Sequence, residues 1–285
     1  MAAPSDDGEA GHLTWSRTIV DGRPAFYGHA GEGPVLVFLH GWGLAHHSYK
    51  RALKPLVRDL GLRVLAPALP GFGGTASLPV ERFSMAGYAE WVVSFLDSVG
   101  VDEPVYLAGH SFGGGVAIAT AHAHTDRVQF LVLINSIGGS KWSTDKTLRD
   151  RPLWDWGIHF PPEMMSRKVF PVILEDAVGN LLRNPFALWR VANLARTADL
   201  TVELNDLKER GLPVLALWGD HDRIVTEAAF RDLCLAVGAE GSVIPGSHSW
   251  LLSDPDAFGQ VMTNVIEVAV VANRQAFKEK RPAPS

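Results

Sequence analysis

Short apolar runs alternate along the chain with longer segments in which apolar residues recur at helical spacing. The apolar runs have the length of strands and lie at residues 35–39, 63–68, 104–108, 128–134 and 214–218. Nearly continuous apolar strands are typical of a parallel sheet, because helices cover both of its faces. The pattern therefore predicts an α/β fold with a mostly parallel sheet flanked by helices.

The segments between these runs support the same prediction. Residues 13–20 and 23–29 flank Asp21-Gly22, a dipeptide that favours a hairpin turn. In residues 84–99 the apolar side chains fall along one helical face, and Gly100 follows as a stop signal. Further helices are predicted at residues 49–60, 114–124, 225–237 and 255–273, and a short strand at residues 242–244.

Residues 138–211 interrupt this alternation. They hold five prolines and four of the nine tryptophans, which are Trp142, Trp154, Trp156 and Trp189. A stretch of this length is too long for a loop in a compact domain. We interpret it as a mainly helical cap, or lid, above the carboxyl edge of the sheet, where α/β proteins bind ligands.

This interpretation divides the chain into a core and an insertion. The core is predicted at residues 12–137 and 212–275, with the cap at residues 138–211 between its two parts. The acidic start, residues 1–11, and the basic end, residues 276–285, have the composition of disordered tails.

Composition narrows the class of protein. Of the 285 residues 47% are hydrophobic and 20% charged, and the net charge of −5 gives no reason to expect nucleic acid as a partner. No apolar run has the length of a membrane span. Cys234 is the only cysteine, which fits a reducing compartment. We therefore expect a cytoplasmic protein with a small-molecule substrate; the pattern does not predict an oligomeric state.

The most informative motif is Gly-His-Ser-Phe-Gly at residues 109–113, between a strand-like run and a helix rich in glycine and alanine. This is the context of a nucleophile elbow, in which a serine occupies a strained turn from strand to helix. The N–H groups and positive dipole end of the following helix favour a developing oxyanion. Ser111 is therefore the predicted nucleophile.

A serine hydroxyl needs a neighbouring base, which a third group must orient. His248 is predicted as the base, because it follows the last short strand and precedes the final helix. Two aspartates, Asp220 and Asp222, follow the strand at residues 214–218 and compete for the role of the acid. Asp222 is favoured, since Asp220 is placed to brace the turn through local backbone hydrogen bonds.

The negative charge of a tetrahedral intermediate needs hydrogen-bond donors. The backbone N–H of Phe112 is one candidate. The second is the N–H of Trp42, in the His-Gly-Trp-Gly loop at residues 40–43, where glycines let the backbone approach a substrate carbonyl.

Five segments together carry a family resemblance. They read HGWG, PALPGFGGT, GHSFGG, LWGDHDRIV and GSHSWLLSDPDAF. In this order and spacing the chain resembles the α/β-hydrolase superfamily over residues 12–275. The resemblance implies an eight-stranded, mostly parallel sheet with a helical cap. It also implies Ser111 as nucleophile, Asp222 as acid, His248 as base, and the amides of Trp42 and Phe112 as the oxyanion hole.

The superfamily hosts many reactions, so the substrate is predicted less closely than the fold. Ser111 argues against epoxide hydrolases and haloalkane dehalogenases, which use an aspartate at this position. Hydrolysis of a carboxylic ester of an apolar or aromatic small molecule (class EC 3.1.1) through an acyl-enzyme is the first expectation. The alternative is hydrolysis of a carbon–carbon bond, as in meta-cleavage hydrolases, with a cap arginine (Arg183, Arg190 or Arg196) for the substrate carboxylate. A non-catalytic ligand receptor on the same fold is a third possibility.

Six side chains are predicted to contact the substrate, and five of them are tryptophans that could line an apolar pocket. They are Trp42, His110, Trp154, Trp156, Trp189 and Trp250. No cofactor and no metal are expected. The paired His46 and His47, like His122 and His124, do not face a common point, and no partner residue is suitably spaced.

Overall fold

The computed structural model of the protein describes residues 11–143, 146–152 and 169–266. Both predicted tails lie outside this range, apart from Gly11. So do Trp154 and Trp156, and the end of the last predicted helix after residue 266.

The main sheet has eight strands in the order β1-β2-β4-β3-β5-β6-β9-β10. These strands are β1 Thr14–Val20, β2 Arg23–Ala30, β3 Val35–Leu39, β4 Arg63–Pro67, β5 Val105–His110, β6 Val128–Ile134, β9 Val214–Gly219 and β10 Ser242–Ile244. The pairs β1–β2 and β2–β4 are antiparallel, and all other neighbours are parallel. The predicted mostly parallel, eight-stranded sheet is confirmed.

Local sequence explains both kinds of strand. Asp21 and Gly22 have φ of 50° and 73°, so the β1–β2 turn uses the left-handed region that glycine and aspartate tolerate. Every residue of β3 and β5 is buried, as expected for strands covered by helices on both faces. Together these features place the carboxyl ends of β3, β5, β6 and β9 side by side at one edge.

Helices cover both faces of the sheet. They are α1 Lys50–Arg58, α2 Met85–Ser98, α3 Phe112–Ala123, α4 Phe170–Arg183, α5 Pro185–Arg196, α6 Thr201–Glu209, α7 Glu227–Val237, α8 Trp250–Ser253 and α9 residues 255–266. One apolar cluster packs α2, α3, α6 and α7 on the sheet, and a second packs α1, α8 and α9 on the other face. The hydrophobic effect of these two layers holds the sheet edge in place.

Helix ends differ from the predicted bounds by one or two residues. Ser84 and Thr226 lie just outside α2 and α7, because their side chains accept hydrogen bonds from Gly87 N–H and Ala229 N–H as N-caps. The short helix α8 is not predicted by the sequence pattern. The extended backbone at Asp254, φ −137°, separates it from α9.

The segment between β6 and β9 holds a two-stranded hairpin and three helices in its described part. The hairpin strands are β7 Lys141–Ser143 and β8 Lys146–Thr147, and the helices are α4, α5 and α6. We call this segment, residues 138–211, the insertion. A hydrogen bond of 2.9 Å from Leu200 N–H to the Gly138 carbonyl joins the start of the insertion to the residue that precedes α6. Within the described residues, no helix combines the length and the apolar character needed to cross a bilayer.

Candidate active site

Ser111 lies at the turn between β5 and α3 with φ 55° and ψ −117°. This is a strained conformation for a residue with a side chain, and such strain clusters at functional sites. The glycines at 109 and 113 leave no room for larger residues. A Cβ at Gly113 would lie 2.6 Å from the His40 carbonyl oxygen, and one at Gly109 would meet the backbone of Gly113. The turn at Ser111 therefore requires glycine at positions 109 and 113.

His248 and Asp222 form a buried hydrogen-bonded pair at the same sheet edge. His248 Nδ1 donates to Asp222 Oδ2 at 2.7 Å, and neither side chain is more than 6% exposed. Asp222 Oδ1 accepts the N–H groups of Ile224 at 2.7 Å and Val225 at 2.9 Å. The carboxylate is thus held by its own loop and orients one ring nitrogen of His248.

Asn135 is a site residue that the sequence analysis did not identify. It follows β6, has φ 45°, and is fully buried. Its side-chain amide donates to Asp222 Oδ2 at 2.6 Å, and its Oδ1 accepts from Trp250 Nε1 at 2.8 Å. Its place at the end of a buried strand, next to the candidate acid's strand, was the available signal.

Asp220 has a different environment. Its Oδ1 accepts the Gly246 N–H at 2.9 Å and the His221 ring at 2.5 Å, on the solvent-exposed side of the loop. The Gly246 hydrogen bond, followed by that of His221, lowers the pKa of the Asp220 carboxyl. These contacts are those of a turn-bracing residue, the role the sequence suggested for it.

The loop after β3 is held by a neutral histidine. His40 Nε2 accepts the Leu69 N–H at 2.8 Å, so Nδ1 carries the proton and donates to the Gly41 carbonyl at 2.9 Å. Burial lowers the pKa of His40 from 6.5 to about 4. The loop that carries Trp42 N–H is therefore fixed to the loop after β4 without a buried charge.

Helix α4 of the insertion anchors the next part of this loop. Asp176 Oδ2 accepts from Ala45 N–H at 3.1 Å, from Ser48 N–H at 3.1 Å and from the Ser48 hydroxyl. One turn later, Asn180 donates to the carbonyls of Gly43 at 3.1 Å and Leu44 at 3.3 Å. Both side chains are buried. Their i, i+4 spacing inside an apolar helix was the only sequence signal for this contact.

The predicted substrate-contacting residues have different surroundings. The indole N–H of the half-buried Trp42 donates to the Leu188 carbonyl at 2.8 Å, which joins the loop to the insertion. Trp189 is 64% exposed and stacks on Phe186. Trp154 and Trp156 lie outside the described residues.

Two of these predictions need correction. Trp250 is 2% exposed, packs on Phe258 in the core and bonds Asn135. His110 is 1% exposed, and both of its ring nitrogens are hydrogen-bonded within the protein. We therefore reassign both side chains from the substrate pocket to the scaffold beneath the site. Aromatic type alone did not separate pocket residues from core residues.

The three candidate arginines also differ. The Arg190 guanidinium lies 3.9 Å from the centre of the Phe83 ring, a cation–π contact. Arg196 Nη1 donates to the Arg151 carbonyl at 3.5 Å, while its Nε is buried without a hydrogen-bond partner among the described residues. Arg183 is exposed at the end of α4. The buried Arg151 donates to the Ile224 carbonyl at 2.6 Å and so supports the Asp222 loop.

Comparison with known proteins agrees with this architecture. The family model of the alpha/beta hydrolase family matches residues 36–261. The chain therefore belongs to the alpha/beta hydrolase family, and homologues within it are hydrolases.

Two relatives and one solved structure illustrate the range of reactions. A Mycobacterium phage D29 protein, provisionally named a non-heme haloperoxidase, is 28% identical over 84% of this chain and 89% of its own. The pimeloyl-[acyl-carrier protein] methyl ester esterase of Aromatoleum aromaticum is 31% identical over 69% of this chain and 82% of its own. The meta-cleavage product hydrolase of Pseudomonas fluorescens superposes with a TM-score of 0.70 at 20% identity, over 92% of this chain and all of its own, a likeness of fold alone.

Proposed function

We propose that the protein is a serine hydrolase that cleaves a carboxylic ester of an apolar or aromatic small molecule. The observation that carries the proposal is the buried His248–Asp222 hydrogen bond of 2.7 Å. It lies beside the strained turn of Ser111, since the His248 carbonyl is bonded to His110, the residue that precedes the serine. A buried imidazole–carboxylate pair next to this turn supports the proposal, because acyl transfer requires a nucleophile, a base and an orienting acid.

In the proposed reaction Ser111 Oγ attacks the ester carbonyl while His248 Nε2 takes its proton. Asp222 keeps the Nδ1 proton directed at itself, so that Nε2 carries the lone pair that acts as the base, and it stabilises the imidazolium that forms. The backbone N–H groups of Phe112 and Trp42 bind the oxyanion. Each such donor lowers the barrier by about 3–4 kcal/mol.

His248 then returns the proton to the departing alcohol, which leaves an ester between the acyl group and Ser111. A water that gives its proton to His248 attacks this acyl-enzyme, and the acid is released with Ser111 restored. The insertion contributes to the site through Asp176 and Asn180, which hold the loop that carries the Trp42 amide. We propose that it acts as the cap over the substrate.

The test is a screen of p-nitrophenyl esters of increasing acyl length with wild type and Ser111→Ala. Wild type is expected to release p-nitrophenol, and the variant to lose activity on the order of 10⁶-fold. Ser98→Ala is the matched control, because the Ser98 hydroxyl bonds the Phe95 carbonyl at the end of α2 and the Thr18 hydroxyl on β1, outside the candidate site. Equal hydrolysis by wild type and Ser111→Ala would contradict the proposal, and binding without hydrolysis would favour a receptor.

Hydrolysis of a carbon–carbon bond is a second candidate. It is favoured by the buried Nε of Arg196 in the insertion, which has no hydrogen-bond partner among the described residues, because a guanidinium suits a substrate carboxylate. A 2-hydroxymuconate semialdehyde hydrolase of Pseudomonas putida is also 34% identical, although over only 39% of each chain. A dienoate substrate belongs in the same screen, and a preference for it over every ester would establish this alternative.

A further inference from the structure

A chain of hydrogen bonds runs beneath the candidate site from one backbone group to another. The Gly41 N–H bonds Tyr49 Oη at 3.0 Å, and Tyr49 Oη bonds His110 Nδ1 at 2.7 Å. His110 Nε2 bonds the His248 carbonyl at 2.9 Å. One end of the chain is the N–H of Gly41, the residue before Trp42. The other end is the backbone carbonyl of His248, the predicted base.

Chemistry fixes the direction of every proton in this chain. A backbone N–H only donates, so Tyr49 Oη accepts from Gly41 and directs its single proton to His110. His110 Nδ1 is then an acceptor, and its Nε2–H donates to the His248 carbonyl. Only the neutral Nε2–H tautomer of His110 satisfies all three bonds.

Burial keeps the side chains of Tyr49 and His110 uncharged and away from solvent. Tyr49 is fully buried and His110 is 1% exposed. Burial, and then the nearby His248, lower the pKa of His110 well below its usual value. Burial likewise raises the pKa of Tyr49. Neither side chain therefore exchanges protons with the reaction, so their contribution is one of geometry.

We propose that Tyr49 and His110 are positioning residues that set the spacing between the oxyanion loop and the backbone of the base, with Ser111 between them. The proposal rests on the proposed function, since the spacing matters only if Ser111 attacks a carbonyl. It goes beyond that function because it assigns roles to two residues that never touch substrate.

Packing supports the role. A Cβ added at Gly41 would lie 3.0 Å from His110 Nδ1, 3.3 Å from Tyr49 Oη and 3.3 Å from Ser111 Cβ. The loop at Gly41, the hydrogen-bond chain through Tyr49 and His110, and Ser111 are thus in direct contact. A shift in one of them therefore moves the others. A misplacement of about 1 Å in such a site costs about 10²-fold in rate.

The experiment compares Tyr49→Phe with the matched control Tyr88→Phe. Tyr88 is also fully buried, and its hydroxyl donates to the Pro70 carbonyl at 3.0 Å, outside this hydrogen-bond chain. Each variant loses one buried hydroxyl. Tyr49→Phe leaves two partners unpaired and Tyr88→Phe one, so the Tyr49 variant is expected to lose more thermal stability, and the rates are compared at a temperature where both variants are folded. The measurements are kcat and KM for the best ester, together with the rate at which a fluorophosphonate labels Ser111.

For Tyr49→Phe we expect kcat and the labelling rate to fall about 10- to 100-fold, with KM within about 3-fold of wild type. Tyr88→Phe is expected to keep both rates within about 3-fold. His110→Gln, which retains a donor for the His248 carbonyl, should keep more activity than His110→Leu. Adding Tyr49→Phe to His110→Leu should cost little more, because one chain is already broken.

The outcomes separate this proposal from the proposed function. If wild type Ser111 is labelled but Tyr49→Phe and Tyr88→Phe react at the same rate, the positioning role is refuted and the serine hydrolase stands. If wild type Ser111 is not labelled at all, the proposed function itself fails, and the positioning role fails with it. A ¹⁵N spectrum that shows His110 as the Nδ1–H tautomer at neutral pH would also refute the hydrogen-bond chain, which requires the Nε2–H tautomer.

Discussion

At the scale of single residues, the sequence is most informative where the chain has few alternatives. The Gly-x-Ser-x-Gly motif predicts the turn at Ser111, because only glycine fits at the flanking positions. The surroundings of Asp222, the candidate acid, depend by contrast on residues that the fold brings close to it. Asn135 and Trp250 form a bonded chain to Asp222, and neither follows from local sequence.

His40 leads to a prediction on pH and stability. Its pKa in the folded protein is about 4, below the ordinary 6.5, so the unfolded chain binds the extra proton first as pH falls. The stability that neutral His40 contributes is fully present above pH 6.5 and is lost as the pH falls toward about 4. As the pH falls from about 7 to about 5, this loss should lower the free energy of unfolding by about 2 kcal/mol.

Urea unfolding of wild type and His40→Gln at both pH values measures this contribution. Glutamine can offer its Oε1 to Leu69 N–H, but it has no donor at the Nδ1 position for the Gly41 carbonyl, so the variant starts less stable. It should nevertheless lose about 2 kcal/mol less than wild type on acidification. Equal losses in the two proteins would show that His40 does not supply this pH dependence.

At the scale of elements, α4 holds the loop that carries the candidate oxyanion donor Trp42. Asp176 and Asn180, one turn apart, bond the loop at residues 43–48. The sequence predicts a helical insertion from its length and tryptophans. It does not predict this contact, because residues about 130 positions apart in the chain meet only through the tertiary fold.

The variant Asn180→Ala tests the contact between α4 and the loop. It removes the donor for two carbonyls in a buried setting, and the acceptor for the partly buried Gly73 N–H. We expect the free energy of unfolding to fall by about 2–3 kcal/mol, and kcat to fall with it as the loop loosens. Differential scanning calorimetry and ester kinetics measure both effects.

Asn193→Ala on α5 is the matched control. Its amide donates only to the Trp189 carbonyl within its own helix, at an exposed position. It should change stability by less than about 0.5 kcal/mol. Comparable losses in the two variants would mean that α4 does not anchor the loop.

At the scale of the whole molecule, the sheet was the most predictable feature. Continuous apolar runs predict buried parallel strands, and the main sheet contains all five of them. The predicted pocket was less accurate, because a buried tryptophan such as Trp250 has the same sequence signature in a core as in a binding site. The spacing of apolar residues predicts which side chains are buried. It does not predict whether a buried side chain contacts the protein core or a bound ligand.

In the proposed enzyme, distant segments of the chain converge to activate Ser111. The rate of fluorophosphonate attachment to Ser111, located by mass spectrometry, tests this convergence in wild type, Asp222→Asn and Asp220→Asn. We expect a loss of about 10³- to 10⁴-fold for Asp222→Asn, because His248 loses its orienting carboxylate, and a near-normal rate for Asp220→Asn. Attachment at another residue, or equal rates in Asp222→Asn and wild type, would refute the convergence.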